Sequence, residues 1–224
     1  MPGEAPHPGW FGSVSRVLLV VAATERELEC ADGAETLCCG VGPVEAAART
    51  AAALGPLRPS ALLHVGIAGG RGLEPPTLVL GSESVYTDLL DPANLIPRVQ
   101  RVEPDAALLA AAREALPGAL VLPIATSARV DLGTGCDVEA MEGFGVLRAA
   151  ALAGVPAVEL RAVSNAPGER DRARWRIAEA LAALDDAVPR LVAALGPQGA
   201  GGERGGASAT SSRKTALPWA GGAP

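Results

Sequence analysis

The chain has 224 residues, of which 49% are hydrophobic and 20% charged, and it carries a formal net charge of −6. That is enough for one sizeable α/β domain and little for two, with the composition of an ordinary soluble globular protein. The acidic balance, with no basic stripe, argues against nucleic acid as a partner. No apolar run reaches the roughly 18 residues of a transmembrane helix, which argues against a membrane.

Residues 1–13 are rich in Pro and Gly and read as a loose N-terminus. "VLLVVAA" (17–23) is a continuous apolar run, as expected of a strand covered on both faces. Arg16 precedes it and small residues follow, but the run is short and "TERELE" comes at once, so it reads as a strand rather than a signal peptide. Thr24 and Glu27 make a T-x-x-E capping box that opens a helix. "PVEAAARTAAAL" (43–54) reads as a helix, "ALLHVGIAGG" (61–70) as a strand running into a Gly-rich turn, and "TLVLGSESVYTD" (77–88) as a bent strand. "PDAALLAAAREAL" (104–116) and "EAMEGFGVLRAAALAG" (139–154) read as helices, the second closed by Gly154, and "PAVELRAVSN" (156–165) as a strand. A last helix places Ile177, Leu181, Leu184, Val188, Leu191 and Leu195 on one face, with Pro189 expected to kink or restart it. From 197 onward, Gly, Ser and Ala without apolar periodicity predict a disordered tail. The folded domain is therefore expected over 14–196, and the alternation of elements predicts an α/β domain with a mostly parallel sheet.

The four cysteines, Cys30, Cys38, Cys39 and Cys136, form no CxxC pair, and His7 and His64 are the only histidines. No zinc site assembles at usual spacings, so neither a metal nor a cofactor is expected, and the thiols read as reduced groups of a cytoplasmic protein.

In parallel sheets, ligands sit beyond the carboxyl ends of the strands. The first strand delivers Thr24 and Glu25 there, the strand at 61–67 delivers "GIAGG", and the strand at 156–163 delivers Ser164 and Asn165. The segment "GTGCDVEAMEG" adds Glu139 and Glu142. The succession of "VAATERE", "HVGIAGG" and "VEAMEG" with "GVPAVELRAVSN" resembles the nucleoside phosphorylase and nucleosidase superfamily over most of 17–195. Within it, the strand end "SNAPGERDRARW" is similar to the futalosine hydrolases. The resemblance implies a three-layer fold with a mostly parallel mixed central sheet flanked by helices, and a homo-oligomer. It also implies a small-molecule nucleoside substrate: hydrolysis of the N-glycosidic bond of futalosine, releasing hypoxanthine on a route to menaquinone. The competing readings are a methylthioadenosine/adenosylhomocysteine nucleosidase, a purine nucleoside phosphorylase and a non-catalytic nucleoside-binding protein.

The residue types suit this chemistry. Cleaving a ribosyl–purine bond needs a carboxylate to activate water, acceptors for the ribose hydroxyls, negative charge near a cationic sugar and a proton or hydrogen bond for the departing base. By resemblance, Glu25 is the acid at the water; otherwise it is a first-turn acid favoured by the helix dipole. Glu142 matches the acceptor of the ribose hydroxyls, with Met141 packed beside the sugar, while Glu139 either binds substrate or caps the helix. Asn165 stands where nucleosidases of 6-aminopurines have aspartate, and its amide both donates and accepts, which suits a 6-oxopurine. Ile67 occupies the place of the hydroxyl residue that holds phosphate in phosphorylases, favouring water as the acceptor. Gly66 and Gly69 let backbone approach a ligand closely. Val130, or else Phe144, is the expected base-stacking residue. Arg170, Arg172 or Arg174 is a candidate partner for the benzoate of the substrate, with Trp175 packing on a ring, unless the run is a solvated loop. Tyr86 and Asp88 either line the crevice or are strand-end and turn residues.

Overall fold

The computed structural model describes residues 17–91, 93, 95–130 and 134–196. The stretches read as a loose N-terminus and a C-terminal tail lie outside the described residues.

Strand β1 (Leu18–Ala22) leads into a one-turn helix α1 (Glu25–Leu28), opened by the expected capping box with both arms formed between Thr24 and Glu27. After β2 (Glu35–Cys38) comes α2 (Pro43–Leu57), then β3 (Ala61–Gly70) and β4 (Leu78–Tyr86). A two-residue β5 (Arg101–Val102), α3 (Ala106–Ala115), β6 (Leu120–Thr126) and β7 (Val138–Ala140) follow. The order ends with α4 (Gly143–Ala153), β8 (Ala157–Asn165), a 3-10 turn (Arg172–Arg174) and α5 (Ile177–Leu195).

All eight strands belong to one mixed sheet. β2, β1, β3 and β8 run parallel, as do β4, β6 and β7, whereas β3 with β7, β4 with β8 and β4 with β5 are antiparallel. Because β8 pairs with both β3 and β4, the strands β3, β8, β4, β6 and β7 close a ring. Buried Ala68, Val79, Ile124, Val138, Ala140 and Val163 form one cluster drawn from all five.

The two-residue period of β1 divides the helices into layers. Leu18, Val20 and Ala22 pack with residues of α1, α3 and α5; Leu19 and Val21 pack with α2 and α4. This is the expected arrangement of helices on both faces of a mostly parallel mixed sheet. α4 lies so close to α2 that a Cβ on Gly145 would meet the carbonyl oxygen of Pro43 at 2.5 Å.

Three local expectations change, and β6 is a strand with no sequence expectation. "GIAGG" is strand throughout rather than a turn. The helix read from 139 starts at Gly143, because Val138, Glu139 and Ala140 pair with Ile124–Thr126 and with Gly69–Gly70 as a strand. β6 went unread because Pro123 interrupts it, at the point where the β4–β6 register shifts and its missing donor is tolerated. Finally, α5 runs through Pro189 without restarting.

Candidate active site

β1, β3 and β8 point the same way, so their carboxyl ends share one edge of the sheet. What they deliver there is a buried cluster of ionisable side chains built on the β3–β8 pair. His64 is the register partner of Glu159, and Gly66 that of Arg161. The two-residue period puts all four positions on one face. The missing side chain at Gly66 makes the room: a Cβ there would run into Arg161 Nη1 and lie 2.9 Å from Glu27 Oε1. Gly143, the first residue of α4, makes room in the same way for the Glu159 carboxylate.

Arg161 is 1% exposed and spends every nitrogen. Nε donates to Glu159 Oε1 at 2.9 Å, Nη1 to the carbonyl of Ile67 at 3.5 Å, and Nη2 to His64 Nε2 at 2.5 Å. Nη2 also stands 3.5 Å from Glu142 Oε2. Burial pulls the guanidinium pKa down; Glu159, then Glu142 and Glu27, more than offset this and hold it above the ordinary arginine value. His64 accepts from an always-charged donor through Nε2, so its proton sits on Nδ1, which donates to the carbonyl of Val21 at 2.9 Å. Burial, reinforced by Arg161, lowers the His64 pKa well below 6.5. The other oxygen of Glu159 accepts from the hydroxyl of Ser84.

Glu142, 4% exposed, accepts from the Gly42 amide at 3.1 Å through Oε1. Burial raises its pKa above 4.5, against the pull of Arg161 and the Gly42 hydrogen bond. Met141, half-buried, precedes it.

The first strand end holds the largest change from expectation. Glu25 is exposed on α1, outside this cluster. Glu27, two positions on, is 6% exposed and turns inward. Its Oε1 accepts from the Ile67 amide at 3.0 Å, while Oε2 accepts from the Thr24 amide at 3.1 Å and the Thr24 hydroxyl at 2.7 Å. In a helix, positions two apart face different sides, so only one of these acids turns into the cluster. The capping-box position of Glu27 is visible in the sequence, but it reads as helix punctuation and conceals its place in the buried cluster.

Asn165, half-buried at the end of β8, has its amide 3.6 Å from where a Cβ on Gly69 would sit. Its Oδ1 accepts from the Ser164 hydroxyl at 2.8 Å, and its Nδ2 donates to the carbonyl of Ala166 at 3.0 Å. Gly66 and Ile67 thus lie at the cluster, Gly66 as space for Arg161 and Ile67 through its backbone. Glu139 neither caps α4 nor joins Glu142: it sits on β7 opposite Gly69, accepting from the amide and hydroxyl of Thr134 at 2.9 and 2.8 Å, with Arg71 3.6 Å away. Val130 is 57% exposed. Phe144 stacks on Tyr86 with ring centroids 5.3 Å apart and donates its amide to the Thr126 hydroxyl. Asp88 accepts from the Ser127 hydroxyl at 2.7 Å and the Ala128 amide at 2.6 Å, a turn-fixing role.

In the charge run, Arg174 pairs with Glu169 and Asp171, and Arg172 lies over the Trp175 ring. Trp175 also donates its indole N–H to the carbonyl of Glu169. All four cysteines are free thiols. Burial pushes Cys39 up to about 12 and Cys30 to about 11, and raises Cys38 and Cys136. Among the described residues, no group of three or more His, Cys, Asp or Glu side chains is placed to hold a metal ion, and no helix is long and apolar enough to cross a membrane.

The model of the phosphorylase superfamily matches residues 34–130. The chain is 44% identical over 189 residues to the futalosine hydrolase of Streptomyces coelicolor, covering 73% of this chain and 80% of that one. It is 52% identical over 62 residues to the futalosine hydrolase of Thermus thermophilus, a match covering 28% of each chain. Among solved structures, a futalosine hydrolase mutant of Helicobacter pylori superposes with a TM-score of 0.71 at 16% identity, over 79% of this chain and 98% of that one. The 5'-methylthioadenosine/S-adenosylhomocysteine nucleosidase of Neisseria meningitidis, bound to methylthio-immucillin-A, superposes with a TM-score of 0.70 at 22% identity, over the same shares.

Proposed function

Since the chain belongs to the futalosine hydrolase family, within the phosphorylase superfamily, we propose that it hydrolyses the N-glycosidic bond of futalosine and releases hypoxanthine. The observation that carries this reading is the meeting of Glu27, Glu142 and Arg161 beside the Ile67 backbone, with Asn165 at the end of the neighbouring strand.

Glu27, which accepts from three donors, takes a proton from the attacking water as general base. Glu142 accepts from the ribose hydroxyls, and the two carboxylates together stabilise the oxocarbenium-like sugar. Asn165 accepts from a protonated N7 through Oδ1 and donates to O6 through Nδ2, so the amide that now bonds Ala166 turns to the base. Water, not phosphate, is the acceptor: at Ile67 the side chain offers no anion ligand and the backbone N–H is committed to Glu27. Met141 packs beside the ribose and Val130 against the purine. Beyond the reaction, the same reading makes the protein a cytoplasmic homo-oligomer whose product continues towards menaquinone.

The test is chromatographic. The purified protein is incubated separately with futalosine, inosine and methylthioadenosine in phosphate-free buffer, and the released base is measured. Hypoxanthine from futalosine, with little from inosine, is the expected result. Adenine from methylthioadenosine with futalosine untouched would overturn it.

A further inference from the structure

The cluster holds three carboxylates, Glu27, Glu142 and Glu159, but a single guanidinium, Arg161. Glu27 and Glu142 have roles in the reaction proposed above; Glu159, 0% exposed, has none. A buried carboxylate is costly unless its charge is used or paired. The geometry says what it is paired with. Arg161 Nε meets Glu159 at 2.9 Å, whereas its Nη2 stands 3.5 Å from Glu142 and gives its short hydrogen bond, 2.5 Å, to His64. Ser84 fixes the far oxygen of Glu159, and the absence of a side chain at Gly143 leaves that carboxylate the space it fills.

We propose that Glu159 is a positioning residue that, with Ser84 and His64, draws the hydrogen bonds of Arg161 off Glu142 and leaves the two 3.5 Å apart, so that the Glu142 carboxylate is not neutralised by the guanidinium and keeps its lone pairs free for the ribose. This inference rests on the assignment of Glu142 to the sugar. With His64 neutral, three carboxylates and one guanidinium leave the cluster two formal negative charges facing the position where a cationic sugar develops. Removing Glu159 leaves one, and turns the full charge of Arg161 onto Glu142. The groups that face Glu142 are Glu27 from α1, Cys39 and the Gly42 amide from the segment before α2, and Arg161 and Glu159 from β8. Among these, Glu27 and Glu159 raise its pKa, while Arg161 and Gly42 lower it.

Glu159→Gln is the informative variant. Its amide oxygen still accepts from Arg161 Nε and its NH2 faces the Ser84 hydroxyl, so shape and pairing persist while the charge goes. Two readouts are taken on the full-length protein. The first is a 13C carboxyl NMR titration of Glu142, assigned with Glu142→Gln. The second is kcat and KM for futalosine across pH. In Glu159→Gln, the Glu142 pKa is expected to fall by about one unit. The acid limb of kcat/KM follows it down, and kcat drops about tenfold with KM changed less than about threefold. A Glu142 titration and pH profile that superimpose on the wild type, whatever the loss of activity or stability, would overturn the proposal. If Glu159→Gln does not accumulate folded, Ser84→Ala carries the test. Freeing one oxygen of Glu159 should move both readouts the same way by a smaller amount, and no movement overturns it. A wild-type enzyme inert on futalosine would sink the assignment of function, yet the NMR titration would still decide whether Glu159 sets the charge on Glu142.

Discussion

Exchanging the two acids of the first helical turn separates the site residue from its neighbour. In Glu27→Gln the volume is kept, but three donors, the amides of Thr24 and Ile67 and the hydroxyl of Thr24, converge on the replaced group. An amide has one acceptor oxygen, so its NH2 must face at least one of those donors. Such a mismatch in a group 6% exposed costs about 1–3 kcal/mol. For a domain of this size that lowers Tm by about 2–12 °C. Loss of a general base costs a further ~10²–10⁴-fold in kcat. Glu25→Gln, on an exposed side chain, should change kcat and Tm little, within about 0.5 kcal/mol. The assay is initial-rate hypoxanthine release from futalosine at neutral pH, with thermal melts of both variants. An inactive Glu25→Gln beside an active Glu27→Gln would refute the assignment and restore Glu25 as the base.

Asn165→Asp should raise adenine release from methylthioadenosine relative to hypoxanthine release from futalosine, because the carboxylate loses the donor that O6 requires; an unchanged ratio measured by chromatography removes Asn165 from base selection. Gly66→Ala places a methyl on Arg161 Nη1 and near Glu27 Oε1, so activity and Tm should both drop, by about 1–3 kcal/mol in stability, and a melt equal to wild type would show that the cluster relaxes freely. Glu142 titrates above 4.5, so kcat/KM should fall on acidification in a window beginning above that value, as the carboxylate gains a proton and ceases to accept from the sugar. The same raised pKa favours the protonated native state, so the contribution of Glu142 to stability declines as pH rises through that window. His64 gives the opposite sign: its folded pKa is depressed, the unfolded chain takes up a proton below about 6.5, and stability is lost on acidification. His64→Gln should flatten that part of the Tm–pH curve, and a slope identical to wild type would place the proton elsewhere.

Much of this architecture is legible in the residues. A continuous apolar run gives β1, the capping box gives the start of α1, and a three-and-four spacing gives α5. Glu142, just after β7, joins the buried cluster, with Met141 before it in the chain, while Asn165 stands at the end of β8. What misleads is local. Glu25 and Glu27 are equally acidic, and only the helical phase, set by packing of Leu28 into the core, decides which turns inward. Glu139 reads as the start of a helix because Ala, Met and Glu favour one, yet pairing with β3 and β6 overrides that preference. Glu159 and Arg161 alternate with Leu160 and Ala162, a period that looks like one solvated strand face. Here that face is buried, and only the partners on β3 and β4 reveal a charge pair.

The closed ring of strands also dictates an order of assembly. β8 is the latest strand in the described chain, yet it sits between β3 and β4, its register partners reaching back from Ala157 to Leu62 and from Ala162 to Leu78. Pairings of such sequence separation form slowly and leave their flanks open in the meantime. A chain emerging from the ribosome therefore carries Glu27 and Glu142 before Arg161. Docking of β8 brings Glu159 and Arg161 in on one strand, so the cluster acquires its guanidinium together with that strand. Truncations ending before Asn165 should therefore lose cooperativity of the whole ring rather than only a strand.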